Sequence, residues 1–114
     1  MNMEDLIDWD DFRKVDIRIG TVLSVVQNAK ARKPAFVLQI DFGTLGIKTT
    51  SAQITENYHL EELIGQQVAA VVNFPVKAIA GIKSEVLLLA AVCEKNGTIL
   101  IQPKSTTENG ANVG

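Results

Sequence analysis

The sequence predicts an all-β fold: a small five-stranded barrel, a short helix between the third and fourth strands, and an extension at each end. Three observations predict it. Residues 15–19 (VDIRI) and 36–42 (FVLQIDF) alternate apolar and polar, the period of a half-buried strand. Residues 67–74 and 84–93 are apolar runs of strand length, which suits strands buried on both faces. Asn96-Gly97 between apolar stretches is a strong hairpin turn.

The elements follow in order. Residues 3–12 can form a short helix, although Leu6, Ile7, Trp9 and Phe12 do not make a clean stripe. The first strand runs from Val15, and its phase changes after Gly20, where Val22-Leu23 and Val25-Val26 are adjacent pairs. A glycine at a phase change predicts a bulge or sharp bend there, one way for a small barrel to close. NAKARKP, residues 28–34, is a basic loop. The second strand puts Phe36, Leu38, Ile40 and Phe42 on one face, and a turn at 43–46 leads into a third strand over 47–54. Residues 55–64 are the best helix candidate, stopped by Gly65. Residues 75–83 read as a loop between the two buried strands, and residues 98–102 complete the final hairpin. Five strands with a helix after the third is the arrangement of an OB-fold, though other small barrels share the strand count. The division is a single domain, 1–114, with an N-terminal helical extension (1–12) and a polar C-terminal tail (103–114) that is either partly loose or docked.

Bulk properties narrow the function classes. With 46% hydrophobic and 21% charged residues, the 114-residue chain can bury a core without disulfides or metal, so disorder is excluded. The longest apolar run is far short of the ~20 residues that span a bilayer, which argues against membrane insertion. The acidic start lacks the basic segment of a signal peptide, and one cysteine cannot form an internal disulfide; both fit a cytoplasmic protein. The net charge of −2 conceals an asymmetry. Residues 1–11 hold five acids and no base, whereas residues 12–54 hold seven bases against Asp16 and Asp41. Such a distribution can steer an anionic partner even when the total is negative; solvated surface charge is the plain alternative.

No catalytic constellation emerges. His59 is the only histidine, with Glu56 and Glu62 near it in sequence. Cys93, read as lying in a buried strand, has no second ligand, so neither a metal site nor a cofactor is expected. The adjacent pairs Asp10-Asp11 and Glu61-Glu62 do not face each other on a helix and make no acid/base couple. No phosphate-binding glycine motif is present. The chain therefore reads as a binding module, not an enzyme. Lys14, Arg18, Arg32, Lys33 and Lys48 fall on or between the first three strands, the usual ligand side of an OB-fold. Phe36 and Phe42 read as core, and Trp9, Tyr58 and Phe74 are assigned to packing in preference to stacking. A chain poor in exposed aromatics suits recognition of a folded RNA by shape and backbone better than tracking of a single strand. Residues 73–85 (NFPVKAIAGIKSE) are open to two readings: a connector with snorkelling lysines, which spacing alone favours, or a loop whose polar groups meet a partner.

Several ordered motifs tip that balance. DFRKVDIRIG (11–20), ARKPA (31–35), IDFG (40–43), SAQIT (51–55), NFP (73–75) and IAGIKSEVL (79–87) together resemble the CsaA proteins, relatives of the tRNA-binding domain appended to methionyl-tRNA synthetases. The resemblance runs from about residue 11 to 102. It implies an OB-fold, a homodimer and structure-directed tRNA binding. It also implies a second role, a chaperone linked to protein export that binds unfolded or secretory polypeptides. By motif position Ser51, Gln53, Asn73, Lys77, Lys83, Ser84 and Glu85 line the RNA site, and Lys14, Arg18, Lys33 and Lys48 frame it. Leu6, Ile7 and Trp9 pack across the dimer boundary. The sequence departs from the family pattern where Ala78 replaces the second of two basic residues, Val37 a common lysine, Phe36 a frequent tyrosine and Thr49-Thr50 a usual Gln-Ser. Of these, Ala78 and Val37 lower the positive charge available to RNA.

Overall fold

A computed structural model describes residues 5–114, so the first two residues of the helix expected over 3–12 lie outside it. In chain order the elements are α1 (Trp9–Arg13), β1 (Ile17–Gln27), β2 (Phe36–Asp41), β3 (Ile47–Ala52), α2 (Leu60–Leu63), β4 (Gln67–Val71), β5 (Lys77–Ile79), β6 (Ile82–Ser84), β7 (Leu87–Leu88), β8 (Ala90–Cys93) and β9 (Gly97–Leu100). The main antiparallel sheet has the order β3-β2-β1-β4-β7. It curls until the chain after β6 meets β3: the Glu85 N–H donates to the Thr49 carbonyl at 2.8 Å. The result is a nearly closed five-stranded barrel of the predicted OB-fold kind.

The core follows the alternation of β2. Leu38, Ile40 and Phe42 are fully buried, joined by Val22 from β1, Val68 from β4 and Leu63 from α2. The bulge predicted for the phase change in β1 is present, displaced along the strand from Gly20. Val22 pairs with Ile40 and Ser24 with Gln39, so the extra residue of the bulge is Leu23, not Gly20. That extra residue lets Val22 and Val25, three positions apart, both face the core. Gly20 is there for space: a Cβ on it would lie 2.6 Å from Ile40 Cγ2 and 2.8 Å from the Phe42 ring.

Tertiary contacts shorten or divide other elements. Trp9–Arg13 is a five-residue helix that starts at Asp8, whose carboxylate accepts the Asp11 N–H at 2.9 Å. Val15 precedes β1, and the third strand stops at Ala52 instead of Ile54. The helix expected over 55–64 is only Leu60–Leu63. Asn57 is taken out of it, because its side-chain amide donates to the carbonyls of Asn96 (2.8 Å) and Thr98 (3.0 Å) in the β8–β9 arm. The Tyr58 hydroxyl accepts the Leu100 N–H at 2.9 Å and fixes the same junction.

The run 84–93 is not one buried strand. Val86 is buried, but Leu87 is half exposed and Val92 is 77% exposed. The chain bends at Leu89, whose N–H donates to the Ala69 carbonyl, and then leaves the barrel as the β8–β9 hairpin. The Asn96-Gly97 turn forms where predicted, with Cys93 paired to Gly97. Cys93 is exposed, and its sulfur accepts the Asn96 N–H at 3.3 Å.

The C-terminal tail is docked. Beside the first half of β1 it occupies the edge that β2 does not reach: Ile19 donates to the Ala111 carbonyl (3.0 Å), and Gly110 and Val113 donate to those of Ile19 and Ile17 (2.7 and 2.9 Å). The Gln67 amide donates to the Thr107 carbonyl at 2.8 Å and accepts the Thr107 N–H at 2.9 Å.

Candidate nucleic-acid interface

Residues 73–85 contain a hairpin, not a loop. The Asn73 side chain anchors its base, accepting the Asp16 N–H at 3.0 Å and donating to the Lys14 carbonyl at 2.7 Å. The chain bends at Phe74, after β4 has ended at Val71, and leads into β5. Lys77 then pairs with Ser84, Ala78 with Lys83 and Ile79 with Ile82. The two-residue turn Ala80-Gly81 has φ of +47° and +81°, positive at both positions as a type I′ turn requires.

This hairpin walls one side of a groove of about 700 Å³. The opposite wall is the end of β3 with Ser51 and Gln53, and Leu87 and Val92 line it farther along. Its lining is mainly apolar, and Phe74, Val76, Leu87 and Val92 are all at least half exposed. Between the walls lies a polar seam that holds the barrel shut. The Thr50 hydroxyl donates to the Val86 carbonyl at 2.7 Å and lies 3.0 Å from Ser84 Oγ. Glu85 Oε1 accepts the Thr49 N–H at 3.0 Å, and its other oxygen is 3.9 Å from Lys48 Nζ.

The geometry divides the expected site residues into two groups. Arg18, Lys48, Asn73, Ser84 and Glu85 are engaged within the fold. Arg18 Nε donates to Asp16 at 2.6 Å and Nη1 to the Gly110 carbonyl at 3.0 Å, so its charge is balanced and it serves the docked tail. Ser84 is buried in the seam. Ser51, Gln53, Lys77 and Lys83 gather at the hairpin and the β3 end, with Lys33 on the exposed 28–34 loop. Lys14 belongs to neither group: it sits by α1, 4.0 Å from Asp11.

Two features are missing from the predicted set. Lys30 reaches across to the hairpin tip: a Cβ on Gly81 would lie 3.1 Å from its Cδ and 3.6 Å from its Nζ. The basic loop and the hairpin are therefore neighbours, and Lys30, Arg32, Lys33, Lys77 and Lys83 have no carboxylate partner among the described residues. The sequence showed the basic loop but not its juxtaposition with the hairpin, which depends on barrel curvature. Phe74, assigned to packing, is 55% exposed on the groove.

Catalytic and metal chemistry gain no support from side-chain placement. Among the described residues no group of three or more His, Cys, Asp and Glu side chains converges. The His59 N–H donates to Glu62 at the start of α2. No described helix is long and apolar enough to cross a membrane.

Comparison with known proteins places this geometry in context. A family model described as "Putative tRNA binding domain" matches residues 17–112. The methionine–tRNA ligase of Methanococcoides burtonii is 39% identical over 107 residues, which cover 94% of this chain and 16% of the ligase. The chain thus spans about a sixth of the length of such relatives. Two solved structures cover 96% of the chain with TM-scores of 0.90: chaperone CsaA of Bacillus anthracis at 50% identity and CsaA chaperone protein of Picrophilus torridus at 44%, matched over 99% and 100% of their own lengths. A MetRS related protein from Pyrococcus horikoshii matches with a TM-score of 0.86 at 29% identity.

Proposed function

The chain belongs to the tRNA-binding domain family, and on that premise we propose that it is a cytoplasmic, non-catalytic homodimer that binds tRNA by shape and backbone. The observation that carries this reading is the unpaired basic cluster formed where the 28–34 loop meets the β5–β6 hairpin. Lys30, Lys33, Lys77 and Lys83 stand on two adjacent projections, as they should to follow a folded phosphate backbone. Ser51 and Gln53 add hydrogen-bonding groups beside it. Lys14 supplies a peripheral charge. Arg18, Lys48, Asn73, Ser84 and Glu85 act indirectly by holding the barrel, the tail and the hairpin base in place.

Gel-shift titration with bulk tRNA at several salt concentrations tests the proposal. Binding should weaken steeply with salt. The Lys77→Ala, Lys83→Ala double variant should lower affinity and flatten the log–log salt slope by about two units, one for each lost phosphate contact. Undetectable binding at low salt, or an unchanged slope in the variant, rejects it.

A second reading is favoured by the groove itself. Exposed Val76, Leu87 and Val92 offer an apolar surface that unfolded or secretory polypeptides could occupy, and two structural neighbours are CsaA chaperones. On this reading excess protein suppresses aggregation of a denatured client, and Val92→Asp abolishes the suppression. Aggregation that proceeds unchanged in the presence of the wild-type protein counts against it.

A further inference from the structure

We propose that Phe74 is a stacking platform for an unpaired base of the bound RNA, making the hairpin end of the groove a nucleobase subsite beside the phosphate-binding lysines. This inference rests on the RNA reading above and adds to it a ligand group and a residue.

Phe74 combines exposure with a stiff mounting. The residue is 55% exposed, although Val22, Leu38 and Ile40 show that the barrel readily buries apolar side chains. On one side Asn73 is tied to Asp16 and Lys14 by two hydrogen bonds. On the other, Pro75 restricts Phe74 itself to extended backbone conformations. An aromatic ring on such a backbone loses little freedom when a partner covers it.

Its surroundings match a nucleotide better than an aliphatic side chain. Lys77 lines the same groove three residues on, within roughly 10 Å along an extended chain, while Lys83, paired with Ala78, belongs to the other face of the hairpin. The Lys77 cation complements a phosphate next to a stacked base. Gln53, also in the groove lining, makes no side-chain hydrogen bond among the described residues. Its amide can both donate to and accept from a base edge. The nearby carboxylate, Glu85, is already engaged by Thr49 and Lys48. Ring, cations and a polar edge are the parts that single-stranded nucleic-acid sites combine.

The test is a fluorescence-anisotropy titration of labelled bulk tRNA, a labelled single-stranded RNA dodecamer and the same dodecamer in duplex form, at three salt concentrations. Phe74→Ala should weaken tRNA and single-strand binding about 5- to 150-fold, the range for loss of one base–aromatic stack. Duplex binding should be unaffected and the salt slope unchanged, in contrast to the Lys77→Ala, Lys83→Ala variant. Phe74→Trp should keep wild-type affinity, whereas Phe74→Leu, which preserves apolar bulk without a π face, should bind like Phe74→Ala. If Phe74→Ala binds tRNA within twofold of wild type while the lysine variant is impaired, the subsite is refuted and the tRNA reading stands. Wild-type affinity in Phe74→Leu also refutes stacking. Suppression of client aggregation that falls in Phe74→Ala with RNA affinity intact assigns the groove to polypeptide and overturns the proposal. Absence of tRNA binding by the wild-type protein overturns both readings.

Discussion

At the scale of single residues, identical chemical types serve opposite ends. Lys48 is within salt-bridge range of Glu85, while Lys77 and Lys83, a few residues away in space, have no carboxylate partner among the described residues. Ser84 is a buried hydroxyl of the barrel seam, whereas the hydroxyl of Ser51 accepts the Asn28 amide of the basic loop at 3.5 Å. Glycine shows the same specificity of place. At Gly20 only hydrogen fits against Ile40 and Phe42, two fully buried side chains. Gly20→Ala should therefore cost about 1–3 kcal/mol, the usual penalty for overpacking a tight core. The urea midpoint should fall with the slope unchanged. A midpoint equal to wild type would mean that β1 and β2 can part at no cost. Gly20 and the unusual run after it were legible in the sequence, but the reason was not: a bulge and a close approach leave the same one-dimensional trace.

At the scale of elements, the β5–β6 hairpin carries most of the accessible site and is held by few residues. Its turn includes Ala80 at φ +47°, a conformation that costs an L-residue with a Cβ about 1 kcal/mol or more relative to glycine. Ala80→Gly should raise stability by a few tenths to about 1 kcal/mol, since the greater freedom of glycine in the unfolded chain offsets part of the relief. Thermal unfolding should move upward, and tRNA affinity should be unchanged because the lysines keep their register. The docked tail is a second element with a measurable role. Ending the chain at Gln102 removes the acceptor for the Ile19 N–H and the Gly110 carbonyl that Arg18 uses. Hydrogen exchange at Ile19 should then accelerate strongly, while exchange at Leu38 and Ile40, paired between β1 and β3, should change far less. Equal acceleration throughout the sheet would show that the tail belongs to the global folding unit.

At the scale of the whole molecule, a single barrel leaves apolar surface beyond the groove as well. Trp9 is 76% exposed, with Leu6 and Ile7 also exposed beside it, and the β8–β9 arm presents Val92 and Ile99. Homodimerisation would cover such residues, and a stable interface buries more than roughly 1,000 Å² in total. Sedimentation equilibrium should report a dimer at micromolar concentration, shifted toward monomer by Trp9→Asp. If that variant remains dimeric, the N-terminal residues lie outside the contact. Dimerisation also bears on affinity, because two basic clusters on one rigid body can engage one folded RNA with a gain that neither has alone. Monomeric Trp9→Asp should accordingly bind tRNA more weakly than its intact lysines would suggest.

The sequence by itself determined the barrel. The alternation in β2 sets which face is buried, the apolar run 67–74 supplies β4, and Asn96-Gly97 specifies its turn, all from local stereochemistry and burial, whereas the run 84–93 is divided by tertiary contacts. Motif resemblance also pointed to residues 73–85 as the place to look. Only the tertiary structure decided which of those polar groups are available. Asn73, Ser84 and Glu85 satisfy backbone or barrel partners, and Lys30 joins the site from 47 residues upstream of Lys77. Pairing across a curled sheet depends on contacts remote in the chain, and a hydrogen-bonding group reads the same in sequence whether its partner is its own barrel or a ligand.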